Sequence, residues 1–215
     1  FRGLKKLLPG RYLIWQDGKL EIHRYWKPEF HPDESKTLED WADEIHNTLK
    51  EIMPEVKTAD EKVESFLSGG VDSSYVLAMS DAEQADSCGY EEERFDESVL
   101  AEKTAQLLGR KFSRSIITPE QFFDIVPYVM YNMEQPLGDA SAIVFTLGCN
   151  ATAEHTKICY SGEGADEFFG GYNMYRNAER YGENLKTFYV GNTNIMKEDE
   201  KKKILKKYDP DVLPI

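Results

Sequence analysis

The first part of the chain alternates apolar and polar residues in a way that predicts a β-hairpin. Over residues 11–26, two such runs flank the dipeptide Asp17-Gly18, and Asp-Gly between alternating strands is a strong hairpin signal. A segment rich in proline and charge follows, which is typical of a linker. We therefore predict two parts, a small hairpin unit over residues 1–30 and a main domain over residues 31–215.

The next segment has the periodicity of a helix. Its apolar positions are Leu38, Trp41, Ile45, Leu49 and Ile52. Thr37 and Asp40 resemble a capping box at its start, with Asp in place of the usual Glu or Gln. Pro54 is predicted to end this helix, because proline disrupts a helix interior.

From residue 63 onward, short apolar runs alternate with helical patterns. Strands are predicted over residues 63–67, 85–90, 111–117 and 157–160, and helices over residues 73–80, 97–108, from 118 onward and over 140–154. Repeated strand–helix units predict an α/β fold in which a parallel sheet has helices on both faces. A charge-dense segment over residues 197–207 predicts a solvated helix.

Charge and composition restrict the class of protein. The 215 residues carry a formal net charge of −13, with 40% hydrophobic and 30% charged residues. This composition is that of a globular chain, and no apolar run approaches the ~20 residues of a membrane-spanning helix. The charge argues against extended nucleic-acid binding. The chain begins at Phe1 without a secretory signal, so we expect a cytoplasmic protein, here as a fragment or a processed product.

The cysteines and histidines suggest no metal site. Cys88, Cys149 and Cys159 never form Cys-x-x-Cys, so we expect three reduced, mostly buried thiols. The histidines have no metal-ligand spacing and are expected at the surface or in the hairpin. These are His23, His31, His46 and His155.

The segment Ser-Gly-Gly-Val-Asp-Ser-Ser at residues 68–74 lies between a predicted strand and a predicted helix. Gly69 and Gly70 permit backbone conformations in which several N–H groups converge on an anion. The serines add hydroxyl donors, and the helix directs the positive end of its dipole at phosphates. Asp72 is suited to hold Mg²⁺ that bridges phosphate oxygens. This pattern predicts a phosphate-binding loop.

The loop has no Gly-Lys-Ser/Thr, so it is not a Walker A motif. Ser-Gly-Gly-Val-Asp-Ser-Ser instead resembles the signature of the ATP pyrophosphatases, which release pyrophosphate from ATP and leave AMP on the substrate. The alternative is a glycine-rich turn without a ligand.

A second motif, Ser-Gly-Glu-Gly-Ala-Asp-Glu-Phe-Phe-Gly-Gly-Tyr, occupies residues 161–172 after a predicted strand. It contains three carboxylates within five residues, among glycines that allow close approach to a ligand. Asp166 is suited to complete the Mg²⁺ shell begun by Asp72. Glu163 is suited to position an incoming substrate or to assist a proton transfer. A flexible acidic loop is the alternative, but it would not explain the closely spaced glycines beside two aromatic residues.

Together the two motifs resemble those of the synthetase domain of glutamine-dependent asparagine synthetases. Supporting similarity lies at residues 88–92, 95–97 and 134–141, and residues 7–12 with the hairpin resemble the last part of that family's glutaminase domain. The resemblance implies an adenine nucleotide alpha hydrolase-like fold. It also implies a ligase of asparagine biosynthesis that belongs to the glutamine amidotransferases.

The resemblance implies a specific set of site residues. Leu67 and Gly89 would contact the adenine and the ribose through their backbone. The residues that would hold the pyrophosphate are Ser68, Gly69, Gly70, Asp72 and Ser73. Ser161 and Gly162 would contact AMP. Asp72 and Asp166 would bind Mg²⁺. Glu163 would help to form β-aspartyl-AMP. Asp139 and Ser141 lie in a matching segment, for which a helix cap is an equally good explanation.

The implied reaction couples ATP, aspartate and ammonia. The aspartate side chain is adenylated, pyrophosphate leaves, and ammonia derived from glutamine then displaces AMP. That family's glutaminase uses an N-terminal cysteine, whereas this chain starts at Phe1, so we do not expect it to hydrolyse glutamine itself. The family also continues past the point equivalent to Ile215 and supplies a catalytic lysine there. Lys186, within residues 183–189, is too generic in context to be assigned that role, and a homodimer of the full-length protein is left open.

Three other functions remain as alternatives. A tRNA-modifying sulfurtransferase would share the loop, but the charge of −13 and the isolated cysteines argue against it. An amide-forming relative that acts on another carboxylate, such as a β-lactam synthetase or a peptide cyclase, would have a similar adenylating core. A non-catalytic ATP-binding relative is the third, although every expected phosphate and metal residue is present.

Overall fold

The computed structural model describes residues 3–56, 62–134, 138–173, 175 and 198–204. The chain divides into two compact units, Phe1–Asn47 and Thr48–Ile215. Within the described residues, none of the helices combines the length and the apolar character needed to cross a bilayer.

The first unit contains the predicted hairpin. Strands β1 (Arg11–Gln16) and β2 (Lys19–Arg24) are antiparallel. Asp17 and Gly18 connect them with φ of 51° and 74°, and two positive φ values in succession are the signature of the tight turn that Asp-Gly favours. The hairpin prediction is confirmed.

Helix α1 extends from Leu38 to Val56. Its start has the predicted reciprocal cap. Asp40 N–H donates to Thr37 Oγ1 over 3.2 Å, and Thr37 N–H donates to Asp40 Oδ2 over 2.8 Å. The prediction that Pro54 ends the helix is wrong, because Pro54 lies inside its last turn. Proline has a φ compatible with a helix, and so close to the end it removes only one backbone hydrogen bond.

The second unit is built on a four-stranded parallel sheet. Its strands are β3 (Val63–Phe66), β4 (Gln84–Tyr90), β5 (Lys111–Ile117) and β6 (Ile158–Tyr160), in the order β5-β4-β3-β6. Ser65 pairs with Ala85 on one side and with Tyr160 on the other. The sheet and its direction match the prediction.

Helices connect the strands of the sheet or follow its last strand, β6. They are α2 (Val71–Met79), α3 (Ser98–Leu107), α4 (Pro119–Asp124), α5 (Val126–Met133), α6 (Ser141–Thr152), α7 (Ala165–Phe169) and α8 (Glu198–Ile204), with a 3-10 turn at Glu93–Phe95. Helix α4 starts where a helix was predicted, and it has Thr118 as its N-cap and Pro119 in its first turn. Thr118 and Gln121 form a capping box.

Helices cover opposite faces of the sheet. Val63 of β3 packs in a buried cluster with Leu77 of α2 and Ala101 of α3. Successive residues of a strand point to opposite faces, so Phe66 lies on the other side, where its ring is 5.2 Å from that of Phe145 in α6. The predicted α/β fold with helices on both faces is therefore confirmed.

Candidate active site

The two sequence motifs follow neighbouring strands. The loop at residues 68–74 comes directly after β3, and the motif at residues 161–172 comes directly after β6. Gly89 lies near the end of β4, which is the other neighbour of β3. Because the strands are parallel, their carboxyl ends meet at one edge of the sheet, which is the usual ligand-binding edge of such folds.

The loop after β3 is held by its own serines. Ser68 N–H donates to Ser73 Oγ over 3.1 Å, and the hydroxyl groups of Ser68 and Ser73 lie 2.9 Å apart. Gly70 N–H donates to Ser68 Oγ over 3.2 Å, and Gly69 has a φ of +84° that favours glycine. These bonds fold the loop back onto the first turn of α2.

The amino end of α2 is open. In the described part of the chain no side chain caps it, and its N-cap residue is Gly70. Ser74 N–H and Ser74 Oγ both bond to Gly70 O, over 3.2 Å and 2.6 Å. Asp72 lies in this first turn and is exposed. The remaining N–H groups of the turn are thus suited to bind an anion.

The two motifs touch each other at Gly162. A Cβ atom at this position would lie 2.7 Å from Ser73 N and 2.9 Å from the carbonyl carbon of Asp72. Real Cβ atoms essentially never approach other atoms that closely. Only glycine therefore allows the backbone after β6 to lie against the first turn of α2.

The acidic part of the second motif forms a tight structure. Glu163 is exposed, and its N–H donates to Ser161 Oγ over 3.1 Å. Asp166 is half-buried in the first turn of α7. The Asp166 carboxylate lies where a Cβ of residue 171 would otherwise be, so a side chain there would displace this carboxylate.

Tyr172 is held by the same motif. Its hydroxyl group donates to Glu167 Oε1 over 2.9 Å. This hydrogen bond, followed by a small contribution from burial and by the charge of Glu167, raises the pKa of Tyr172 to about 12. Tyr172 is therefore a neutral hydrogen-bond donor at physiological pH.

Gly89 lies in a polar nest that the sequence did not reveal. A Cβ atom there would lie 2.8 Å from Asp96 Oδ1 and 2.9 Å from both Arg114 Nε and Ser98 Oγ. Asp96 Oδ1 accepts from Ser98 N–H and from Ser98 Oγ, and Asp96 Oδ2 pairs with Arg114. Residues 95–97 carried a family resemblance that signalled Asp96, whereas no local pattern signalled Arg114.

Leu67 directly follows β3 and is buried. The side chain is 2% exposed and belongs to the buried cluster below the sheet. Leu67 N–H donates to Asp86 O over 2.9 Å. The predicted contribution of Leu67 through its backbone is compatible with this position.

A cavity of about 710 Å³ opens beside the end of β4. It is lined by Tyr90, Glu91, Glu92, Ile117, Thr118, Pro119, Phe122 and Phe123. Its walls thus come from the ends of β4 and β5 and the start of α4, next to Gly89. Its size is that of a small-molecule site.

The remaining predicted residues have different outcomes. Asp139 Oδ1 accepts from Ser141 N–H over 2.9 Å just before α6, whose N-cap residue is Ala140 without a side-chain capping bond. Residues 135–137 of the supporting segment, together with Lys186 and the rest of residues 183–189, lie outside the described residues.

The cysteines are free and half-buried rather than mostly buried. Burial raises the pKa of Cys88, Cys149 and Cys159, in the last case to about 12. Thiols with raised pKa values are poor nucleophiles, so these cysteines add no chemistry to the site. His155 is exposed, as expected, and it lies beside two buried carboxylates that the spacing along the chain did not indicate.

The asparagine synthase family model matches residues 44–210. The asparagine synthetase [glutamine-hydrolyzing] 1 of Bacillus subtilis is 30% identical over 251 residues, which cover 97% of this chain and 39% of that protein. The amidase chry2 of Gibberella zeae is 30% identical over 201 residues, which cover 82% of this chain and 30% of that protein.

One solved structure similar to this chain is the glutamine-dependent NAD+ synthetase of Acinetobacter baumannii in complex with ADP. The two have a TM-score of 0.44 and 20% sequence identity, and the aligned part covers 70% of this chain and 30% of the synthetase chain. The chain spans about two fifths of the length of the Bacillus subtilis asparagine synthetase. On the matched residues and the level of identity, the chain belongs to the asparagine synthase family.

Proposed function

We propose that this chain is the adenylating part of an ATP-dependent, amide-forming ligase. It would transfer AMP from ATP to the side-chain carboxylate of aspartate, and ammonia would convert that intermediate to asparagine. Family membership supports the proposal. The observation that favours it most is the contact of Gly162 with the first turn of α2, because it brings a phosphate-binding loop and an acidic motif together at one edge of the sheet.

The pyrophosphate part of ATP is assigned to the loop after β3. Backbone N–H groups of Gly69 and of the open first turn of α2 are donors for phosphate oxygens. Gly70 N–H would join them by exchanging its bond to Ser68 Oγ for one to phosphate. The hydroxyl groups of Ser68 and Ser73, which lie 2.9 Å apart, are further donors. Donors aimed at the leaving pyrophosphate stabilise the charge that develops on it in the transition state.

The nucleoside part is assigned to the ends of β3, β4 and β6. Leu67 and Gly89 would contribute backbone groups to the adenine and the ribose, and Ser161 and Gly162 would contact the AMP moiety. A side chain at residue 89 would collide with Asp96, so glycine there keeps the end of β4 packed against Asp96. The neighbouring cavity of about 710 Å³ supplies apolar and aromatic walls.

Asp72 and Asp166 are the residues proposed to hold Mg²⁺. Their chemistry fits, because hard carboxylate oxygens are typical ligands of Mg²⁺. The exposed Asp72 sits in a turn of N–H donors, where its charge would otherwise oppose phosphate binding. Bound Mg²⁺ would offset the negative charge of the phosphates.

The reaction would proceed in two displacements. A carboxylate oxygen of aspartate attacks the α-phosphorus of ATP, and the bond to the pyrophosphate breaks. Ammonia then attacks the acyl carbon, and AMP leaves. Glu163 is exposed beside the loop, where it can position the aspartate or accept a proton from the attacking ammonia.

Ammonia is proposed to come from glutamine, hydrolysed by a domain outside these 215 residues. The Bacillus subtilis relative is named as glutamine-hydrolyzing, and this chain covers 39% of it. The hairpin unit at residues 1–30 would be the last part of that domain. A cytoplasmic location and a homodimer of the whole protein stay predictions.

A second candidate is an amide-forming enzyme that acts on another carboxylate. One relative with 30% identity is named an amidase rather than an asparagine synthetase. The phosphate loop and the acidic motif would serve the adenylation of either carboxylate, so the same core is compatible with both candidates.

Pyrophosphate release from the full-length protein, with ammonium as nitrogen donor, separates these functions. We expect release that depends on ATP, Mg²⁺ and aspartate, with equivalent AMP and asparagine. Glu163→Gln should slow it by about a hundredfold or more. The exposed Glu154→Gln is the matched control and should leave the rate unchanged.

Release that responds to another carboxylate and not to aspartate would support the second candidate. ATP binding by this chain in calorimetry, without pyrophosphate release by the full-length protein for any carboxylate, would favour the non-catalytic ATP-binding relative. Binding that disappears in Asp72→Ala would support the assigned phosphate and metal site.

A further inference from the structure

A second cluster of polar side chains is formed by Glu64, Asp86 and His155, away from the candidate active site. Glu64 of β3 has a side chain that is 0% exposed, and Asp86 of β4 is 8% exposed. Glu64 precedes Ser68 by four residues of extended chain, which corresponds to roughly 13 Å. The cluster is thus distinct from the site at the edge of the sheet.

Each of the two buried carboxylates keeps one oxygen without a partner. Glu64 Oε1 pairs with Lys62 Nζ, and Asp86 Oδ1 accepts from Gln84 Nε2 over 3.1 Å. Glu64 Oε2 and Asp86 Oδ2 have no hydrogen-bond partner within the part of the chain that the structure describes. A buried carboxylate oxygen without a partner is energetically costly. A cation bound between the two carboxylates would offset this energetic cost.

Burial is the main reason that the pKa of Asp86 is raised, to about 6, and the neighbouring Glu64 carboxylate adds to this rise. The amide of Gln84 and the nearby His155 act in the opposite direction. Lys62 pairs with Glu64 Oε1, so it does not neutralise Glu64 Oε2 or Asp86 Oδ2.

His155 completes the cluster from the other side. It follows α6, and its Nδ1 lies 3.9 Å from Glu64 Oε2. One ligand atom each of Glu64, Asp86 and His155 lie within 4.8 Å of one another. A cavity of about 30 Å³ borders Asp86 and His155, which is room for one water molecule or one ion. The His155 side chain is 45% exposed and provides a path from solvent.

We propose that Glu64, Asp86 and His155 bind a divalent cation of the borderline class, of which Zn²⁺ is the type. One imidazole nitrogen and two carboxylate oxygens are a common donor set for this class, and a water molecule takes the fourth position. The ion would connect β3, β4 and the end of α6. Its role would be to stabilise the sheet below the ATP edge.

Zinc binding to the chain tests this proposal directly. After treatment with a chelator, the chain is dialysed against Zn²⁺ in the presence of excess Mg²⁺, and retained zinc is measured by mass spectrometry. We expect one Zn²⁺ per chain and a rise in the melting temperature, because a ligand that binds only the folded state stabilises it. Replacement by Co²⁺ should give the absorption bands of a nitrogen- and oxygen-ligated ion.

Two variants locate the ion. Glu64→Gln keeps the shape of the side chain, and His155→Ala changes a half-exposed residue, so the fold is expected to survive at least the second change. Each should weaken Zn²⁺ binding by about tenfold or more. Glu83→Gln and His31→Ala are matched controls at exposed positions outside the cluster and should leave binding unchanged.

Zinc lost on dialysis of the unmodified chain would overturn the proposal and leave a shared proton as the occupant of the cluster. Equal zinc retention by the unmodified chain and by His155→Ala would overturn it as well. If Asp72→Ala abolished zinc retention while His155→Ala did not, the ion would belong to the ATP edge instead.

Discussion

At the scale of single residues, the closest contact with backbone atoms in the site is at Gly162. This residue has no side chain, and the space that a Cβ would need is already taken by Ser73 N and the carbonyl carbon of Asp72. The constraint comes from backbone atoms, which cannot rotate away as a side chain can. Any larger residue must therefore separate the two motifs.

Gly162→Ala should weaken ATP binding by about tenfold while the chain stays folded. Overpacking of this kind costs about 1–3 kcal/mol, and the cost falls on the contact between the second motif and the loop. Calorimetric titration with ATP and Mg²⁺ measures the affinity, and urea unfolding measures the stability.

Gly109→Asn is the matched control for this variant. A Cβ at Gly109 would meet no atom within 4 Å, and its φ of +66° is one that asparagine tolerates. Unchanged ATP affinity in Gly162→Ala would contradict the proposed contact between the motifs in the binding-competent state.

At the scale of elements, Asp96 connects three parts of the fold. It accepts two hydrogen bonds from Ser98 at the start of α3, pairs with Arg114 of β5 and lies against Gly89 of β4. Its side chain is 4% exposed. The hydrogen bonds from Ser98 are the main reason that the pKa of Asp96 is lowered, and the charge of Arg114 adds to this effect.

Asp96→Asn should lower the free energy of unfolding by about 1–3 kcal/mol at neutral pH, since hydrogen bonds to a charged group are lost. The folded-state pKa is below the ordinary value of 3.8. The charged form therefore stabilises the fold above pH 3.8, and that contribution disappears as the pH falls through the lowered pKa. The difference between variant and unmodified chain should shrink accordingly in urea unfolding at acid pH.

Asp124→Asn, at an exposed position at the end of α4, is the control and should change stability by less than about 0.5 kcal/mol. A difference for Asp96→Asn that stayed constant down to acid pH would show that the charge of Asp96 is not the source of its effect.

Turns and helix starts were predictable from the sequence where they depend on residues close together in the chain. The Asp17-Gly18 turn and the reciprocal bonds of Thr37 with Asp40 were predictable, because each depends on residues close together in the chain. Pro54 was misjudged because the effect of proline depends on how many helical residues follow it. Two residues beyond it are too few for the lost hydrogen bond to decide the boundary.

At the scale of the whole molecule, the net charge of the chain opposes the binding of ATP. A chain of net charge −13 repels ATP, which is itself negative. Binding then depends on local donors, namely the N–H groups at the start of α2 and the bound Mg²⁺ proposed for Asp72 and Asp166. The same net charge should prevent the chain from following a nucleic-acid backbone.

The chain should not bind transfer RNA even at low ionic strength. A gel-shift assay with bulk transfer RNA, run beside a basic RNA-binding domain as a positive control, measures this. A shift that weakens as salt is added would contradict the expectation and would reopen the sulfurtransferase alternative.

The sequence by itself determined the hairpin, the parallel α/β sheet and the two motifs, because turns, caps and glycine-rich loops are specified by short spacings. Only the tertiary structure decided which distant residues meet. The strand order β5-β4-β3-β6 brings Arg114 to Gly89, and the fold of α6 onto the sheet brings His155 to Glu64. Such neighbours depend on how strands pair and on which face a helix covers, and no spacing along the chain records either.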